Sequence, residues 1–280
     1  MIDYQKVDTY CGKALRVSNG KIEFTAALDV GPRIIAFNKK GGGNIFYQDI
    51  LDKRNKDVSS VYGQGQIWHI YGGHRVWLSP ESLKTYYPDN ESINYDILPK
   101  GLRLYLKNMK VINISLSLTL EFISDNSLKV THKITNEGEK RDFCIWGLTA
   151  LRSGGRMKVN LPKTDTGFLP NRNLVLWPYS DINDERLIIN NDSIVINSTE
   201  RVDKPLKIGT YNDDIKIFYT IDDIEFFKEY KGDKEGRYPD YFCNFETYTC
   251  DALHEVESLS PFKTLDRNEE MSFEEIWTLR

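Results

Sequence analysis

The chain reads as an all-β protein, a large antiparallel β-sandwich. Three observations predict this. Apolar and polar residues alternate with period two over much of the length, as in strands buried on one face. Turn-forming clusters separate these runs: SDNS at 124–127, NEGEK at 136–140, GDKEG at 232–236 and DRNEE at 266–270. No long segment carries the 3.6-residue apolar stripe of a helix. Many strands joined by polar turns suit a sandwich better than a parallel α/β fold.

The elements follow in order. KIEFTAALDV places Ile22, Phe24, Ala26 and Leu28 on one face, and GPR turns the chain into IIAFNKKGGGNIFY. Within that run, GGGN at 41–44 reads as a hairpin turn. GLRLYLKN alternates Leu102, Leu104 and Leu106, and VINISLSLTLEF alternates Ile112 through Leu120. SLKVTHKITN puts His132 in the apolar register with Leu128, Val130 and Ile134, which predicts a core histidine. DSIVINS, PLKIGTY and DIKIFYTI continue the pattern. No internal repeat or low-complexity linker interrupts it, so residues 1–280 are expected to form a single domain.

Composition excludes several function classes. Lys and Arg number 37 against 41 Asp and Glu, a net charge of −4 without a clustered basic face, so nucleic acid is not an expected partner. No stretch is apolar and long enough for a membrane-spanning helix. The first residues show no basic segment followed by an apolar run, which argues against a signal peptide and for a cytoplasmic location. Cys11, Cys144, Cys243 and Cys250 form no CxxC pair and read mostly as buried small hydrophobes, with a Cys243–Cys250 disulfide disfavoured. There is no dinucleotide fingerprint, P-loop or GxSxG elbow. No cofactor is expected, and nothing fixes an oligomeric state.

Two regions carry candidate chemistry. IWHIYGGHRVWLSPES, residues 67–82, gathers Trp68, His69, His74, Arg75, Trp77 and Glu81 around a Gly-Gly turn. Arginine is a fixed fork of donors suited to hydroxyls and carboxylates, and indole faces suit the C–H faces of sugars. The alternative is a turn with packed tryptophans and solvent-facing His74 and Arg75. A metal site from His69, His74 and Glu81 is disfavoured, because HxxxxH is not a usual ligand spacing. The second region is YFCNFETYTCDALHEVESLSPF. Asn244, Glu246 and Tyr248 share one strand face; Leu253, Glu255, Glu257 and Leu259 share another. A carboxylate on a half-buried face has its ionised form disfavoured and can serve as a general base near neutral pH. A β-bulge would exchange Glu255 and Glu257.

Several stretches together resemble the galactose mutarotase-like (aldose 1-epimerase) superfamily. They are GPRIIAFNKKGGGNIFYQD, GGHRVWLSPE, SLKVTHKITNEGEKRDFCIWGLTAL with Asn136 before its turn, and HEVESLSPFKTLDRNEEMSFEEIWTLR. The resemblance implies a large β-sandwich with a carbohydrate cleft, and a glutamate base paired with a histidine acid at the anomeric carbon. The family glutamate falls on Glu257. The family histidine position falls on Leu151, followed by Arg152, and arginine cannot donate a proton at neutral pH. The resemblance therefore leaves His74 or His69 to supply the acid, His74 being the first candidate, with Trp68, His69, Arg75, Trp77, Glu81, Arg152 and Glu246 as sugar-binding residues. The alternatives are a non-catalytic carbohydrate-binding protein and a structural sandwich.

Overall fold

The computed structural model describes residues 1–202 and 204–280. It is an all-β sandwich whose strand pairs are antiparallel throughout the described residues. The larger sheet has 11 strands. Its middle runs Arg33–Lys39, Gly73–Ser79, Arg141–Arg152, Leu253–Leu259, Phe245–Thr249 and Leu206–Thr210. The smaller sheet has 10 strands, with Asp214–Ile221, Ile224–Lys231, Glu270–Leu279, Ser127–Asn136 and Ile114–Phe122 at its centre. A two-stranded ribbon, Asn55–Asp57 with Ile67–His69, stands beside the larger sheet.

The alternation in the sequence accounts for the layering. Ile114, Leu116, Leu118, Leu120 and Phe122 are buried while the residues between them are half-exposed. Ser127–Asn136 repeats this with Leu128, Val130, His132 and Ile134 inward. Inward side chains of both sheets interdigitate: Phe24 meets Phe122 at 5.7 Å between centroids, and Phe37 meets Trp277 at 5.7 Å. One apolar cluster spans the two sheets, so burying it holds them face to face.

Gly72 and Gly73 set the phase of the Gly73–Ser79 strand. Both have positive φ, 97° and 68°. A Cβ would lie 2.2 Å from the Tyr47 carbonyl oxygen at Gly72 and 2.0 Å from that of Ile34 at Gly73, so no side chain fits at either. Arg33 clamps the turn, donating to the Ile70 and Gly72 carbonyls at 2.8 and 3.1 Å while pairing with Asp89 at 2.9 Å. From there His74 and Val76 point between the sheets, and Arg75 and Trp77 point to the outer face. All four cysteines are free thiols, Cys144, Cys243 and Cys250 buried. Among the described residues no helix is long and apolar enough to cross a membrane.

Candidate functional site

The outer face of the larger sheet carries a cleft of 340 Å³, a size that suits a small-molecule ligand. Its floor is one row of cross-strand partners: Arg75 opposite Leu148, Leu148 opposite Glu257, and Glu257 opposite Glu246. The adjacent row sets Ala150 opposite Glu255, Glu255 opposite Tyr248, and Tyr248 opposite Lys207. Period two within each strand puts these side chains on one face, since strand neighbours alternate sides. Trp68 from the ribbon, Glu81 and Tyr86 from the segment after the Gly73–Ser79 strand, and Tyr179 from a loop complete the walls.

The floor is charged and mostly sealed. Glu257 and Glu246 are buried on either side of the Lys207 ammonium, at 3.3 and 2.9 Å. Trp146 Nε1 donates to Glu257 at 2.9 Å. Burial raises both carboxyls against the pull of Lys207. Burial works against the Lys207 charge too, but Glu257 and Glu246 outweigh it and hold the ammonium well above its usual range. One ammonium balances only one of two buried carboxylates, so the other is driven to keep its proton and the three titrate as a unit. Glu255 is half-buried and lines the cleft itself. Burial and the Glu257 charge push it up to about 8 against Arg75 and Lys207, so it is mostly protonated at neutral pH. The sequence expectation of a shared face for Leu253, Glu255 and Glu257 holds without a bulge, and of the two glutamates Glu255 meets the cleft.

His74 requires a correction. It is fully buried on the opposite face of the same sheet, between the two layers. His74 and Glu257 therefore do not face each other across one pocket, and His74 is no proton donor to the cleft. The two-residue Gly turn placed the histidine inward and its neighbour Arg75 outward.

His74 belongs to an internal polar cluster with His132, Lys228, Glu275, Ser258 and Thr149. The Phe273 carbonyl can only accept, so His132 Nδ1 carries a proton and donates to it at 3.1 Å. His132 Nε2 is then bare and accepts from His74 Nε2 at 2.8 Å. His74 Nδ1, bare in turn, accepts from the Thr149 hydroxyl at 2.8 Å. Burial lowers both histidine pKa values and keeps the rings neutral. Lys228 pairs with Glu275 at 3.1 Å and also reaches Thr149 Oγ1 and the Gly147 and Val256 carbonyls at 3.1–3.3 Å. Ser258 and Trp277 donate to Glu275. His74, His132 and Glu275 bring ligand-type atoms within 4.8 Å of one another. Each of those atoms is already engaged by the hydrogen-bond chain or by the groups around Glu275.

The other predicted residues divide. Trp68, Arg75, Trp77 and Glu81 line the cleft and Glu246 lies in its floor. Trp68 and Trp77 do not offer open faces, however. Trp77 stacks between Trp68 at 5.6 Å and Trp146 at 5.1 Å, and Tyr86 caps Trp68 and Trp77 edge-on at 4.9 Å. The rings less sealed are Tyr179, Tyr248 and Trp177. His69 turns away from the cleft to pair with Asp52 at 2.6 Å, because the ribbon's alternation gives the cleft to Trp68. Arg152 reaches Asp222 at 2.8 Å outside the cleft lining. His69, His74 and Glu81 thus occupy three separate environments. Leu151 is buried opposite His254 and offers no site chemistry. Sequence reasoning missed Lys207, Lys228, Glu275 and Tyr179. A charged residue in an apolar register position was the available signal for two of them: Lys228 alternates with Phe226 and Tyr230, and Glu275 with Phe273 and Trp277.

No protein-family model matches the chain, and no curated protein matches it. Among solved structures it is similar to a TPR-domain containing protein from Parabacteroides distasonis ATCC 8503, with a TM-score of 0.59 and 13% identity. The match covers 95% of this chain and 47% of that one, so the chain spans about half the length of the structure it resembles. At that identity the likeness is one of fold.

Proposed function

We propose that the protein binds a carbohydrate in the outer-face cleft and catalyses ring-opening epimerisation at the anomeric carbon. One observation carries this reading: two carboxyl side chains, Glu255 and Glu81, line one small-molecule cleft above a floor of paired charges, and burial pushes Glu255 up to about 8. Interconverting anomers needs one group to take the proton from the anomeric hydroxyl and another to protonate the ring oxygen. Glu255, with a pKa of about 8, is the donor at neutral pH. Glu81, which also lines the cleft and accepts from the Tyr86 hydroxyl, is the base. Glu257 and Lys207 lie beneath and tune Glu255, the first raising its pKa and the second lowering it. This reassigns both catalytic roles from Glu257 and His74.

A second reading, a non-catalytic carbohydrate-binding protein, is favoured by one specific observation: no histidine lines the cleft among the described residues. An NMR anomerisation assay over a panel of aldoses separates the two. Acceleration above buffer that Glu255→Gln removes supports catalysis. No acceleration with any sugar, alongside saturable quenching of tryptophan fluorescence, supports binding alone. A flat response in both assays overturns the carbohydrate reading.

A further inference from the structure

Of the cations that line the cleft, Arg54 pairs with Asp251 at 2.5 Å, and Lys207 with Glu246 and Glu257. Arg75 differs. Its side chain is 4% exposed, and among the described residues no carboxylate lies within ion-pairing distance of it. Its Nε and Nη1 are buried without a hydrogen-bond partner among those residues. The neighbouring cation in the same row, Arg33, is already matched by Asp89 and adds repulsion instead of relief. Leaving a buried guanidinium unpaired is costly, and structures normally match such a group with an anion.

The guanidinium is also held in place. Its Cζ lies 3.7 Å from the Trp77 centroid and 4.7 Å from that of Trp68, so cation–π contact fixes its position at the cleft wall. A planar fork with fixed position and free donors suits two-point recognition of a carboxylate or phosphate. Of the acids that act on Arg75, Asp89 is taken up by Arg33, and Glu255, which also lines the cleft, is mostly neutral at neutral pH.

We infer that Arg75 is the recognition residue for an anionic group on the ligand, so that the cleft takes an acidic sugar, one bearing a carboxylate or a phosphate, in preference to a neutral one. The inference rests on the carbohydrate reading for the sugar and on Arg75 alone for the charge. The test is isothermal titration of the whole chain at pH 7 with glucuronate, glucose 6-phosphate, glucose, acetate and inorganic phosphate. At least one acidic sugar should bind about tenfold or more tighter than glucose, the worth of one charge-assisted hydrogen bond. Which of the two does so identifies the anion. Arg75→Met should abolish that preference, and Arg75→Lys should restore part of it.

Glucose binding as tightly as both acidic sugars overturns the inference and leaves the sugar cleft standing. So does a preference that survives in Arg75→Met. Phosphate or acetate binding that depends on Arg75, with no sugar bound, sustains the anion site and overturns the sugar reading. No binding by any probe overturns both. If Arg75→Met does not fold, as judged by circular dichroism, the wild-type preference and its loss to competing phosphate or acetate decide the matter.

Discussion

The two faces of the larger sheet's central strands bury comparable sets of charged and polar side chains but treat them differently. Between the sheets, His74, His132, Lys228, Glu275, Ser258 and Thr149 bind one another in a closed circuit, and none of their polar atoms is left without a partner. On the outer face, Arg75 Nε and Nη1, Glu246 Oε1 and Glu257 Oε1 are buried with no partner among the described residues. Burial and polarity alone therefore do not mark a site, since the inner cluster is the more deeply buried of the two. Four unmatched atoms gathered at one cleft distinguish it better, because a folded interior seldom leaves such groups unmatched unless something else completes them; elsewhere unmatched atoms are scattered, His254 Nδ1 between the sheets among them.

The largest effect that tests this contrast is acid. His74, His132 and His254 are held neutral by burial, the last pushed down to about 3. Their folded pKa values lie below the unfolded ones. Their contribution to stability is therefore full above about pH 6.5 and lost as pH falls, by up to about 1.4 kcal/mol per unit for each. Thermal melts from pH 7 to pH 4 should fall steeply; a flat profile would mean the inner circuit is open to water. Next in size, Lys228→Met strands Glu275 in the core and should cost about 3–5 kcal/mol in urea unfolding. The equivalent change on the outer face, Glu255→Gln, should cost little stability yet reduce any anomerisation rate by about a hundredfold. Wild-type activity should decline as pH rises through about 8, where Glu255 loses its proton. The folded pKa of Glu255 is raised, so its contribution to stability is lost as pH climbs from about 4.5 to about 8, and Glu255→Gln should flatten that decline. Smallest of all, His69→Gln removes a part-exposed pair with Asp52 and should shift stability by under about 1 kcal/mol and binding not at all.

The fold was legible because a strand writes its burial directly into the sequence. The alternation of Ile114–Phe122 and Ser127–Asn136 gave their faces residue by residue, including the core place of His132. The carboxylate side of the site was legible for the same reason: Glu255 and Glu257 share a parity with Leu253. His74 was not, since a turn with positive φ breaks the count and the strand's phase restarts beyond it. Lys207 was missed because a lysine between Leu206 and Ile208 looks like the ordinary solvated partner of two core residues. Only the fold places it between two glutamates from neighbouring strands. The stacking of Trp68, Trp77 and Trp146 likewise joins three separate strands and leaves no local trace.

The Gly72–Gly73 turn decides which side of the sheet each following residue serves. Adding one residue just after it would move every following residue of the strand on by one slot and exchange the two sets: His74 would enter the cleft, while Arg75 and Trp77 would turn inward between the sheets. The same few letters, GGHR, thus encode either a titratable or a permanently charged cleft wall, and the spacing from the turn chooses between them. That makes the turn a handle for redesign, because a single insertion or deletion there changes which side chains the strand presents to the cleft.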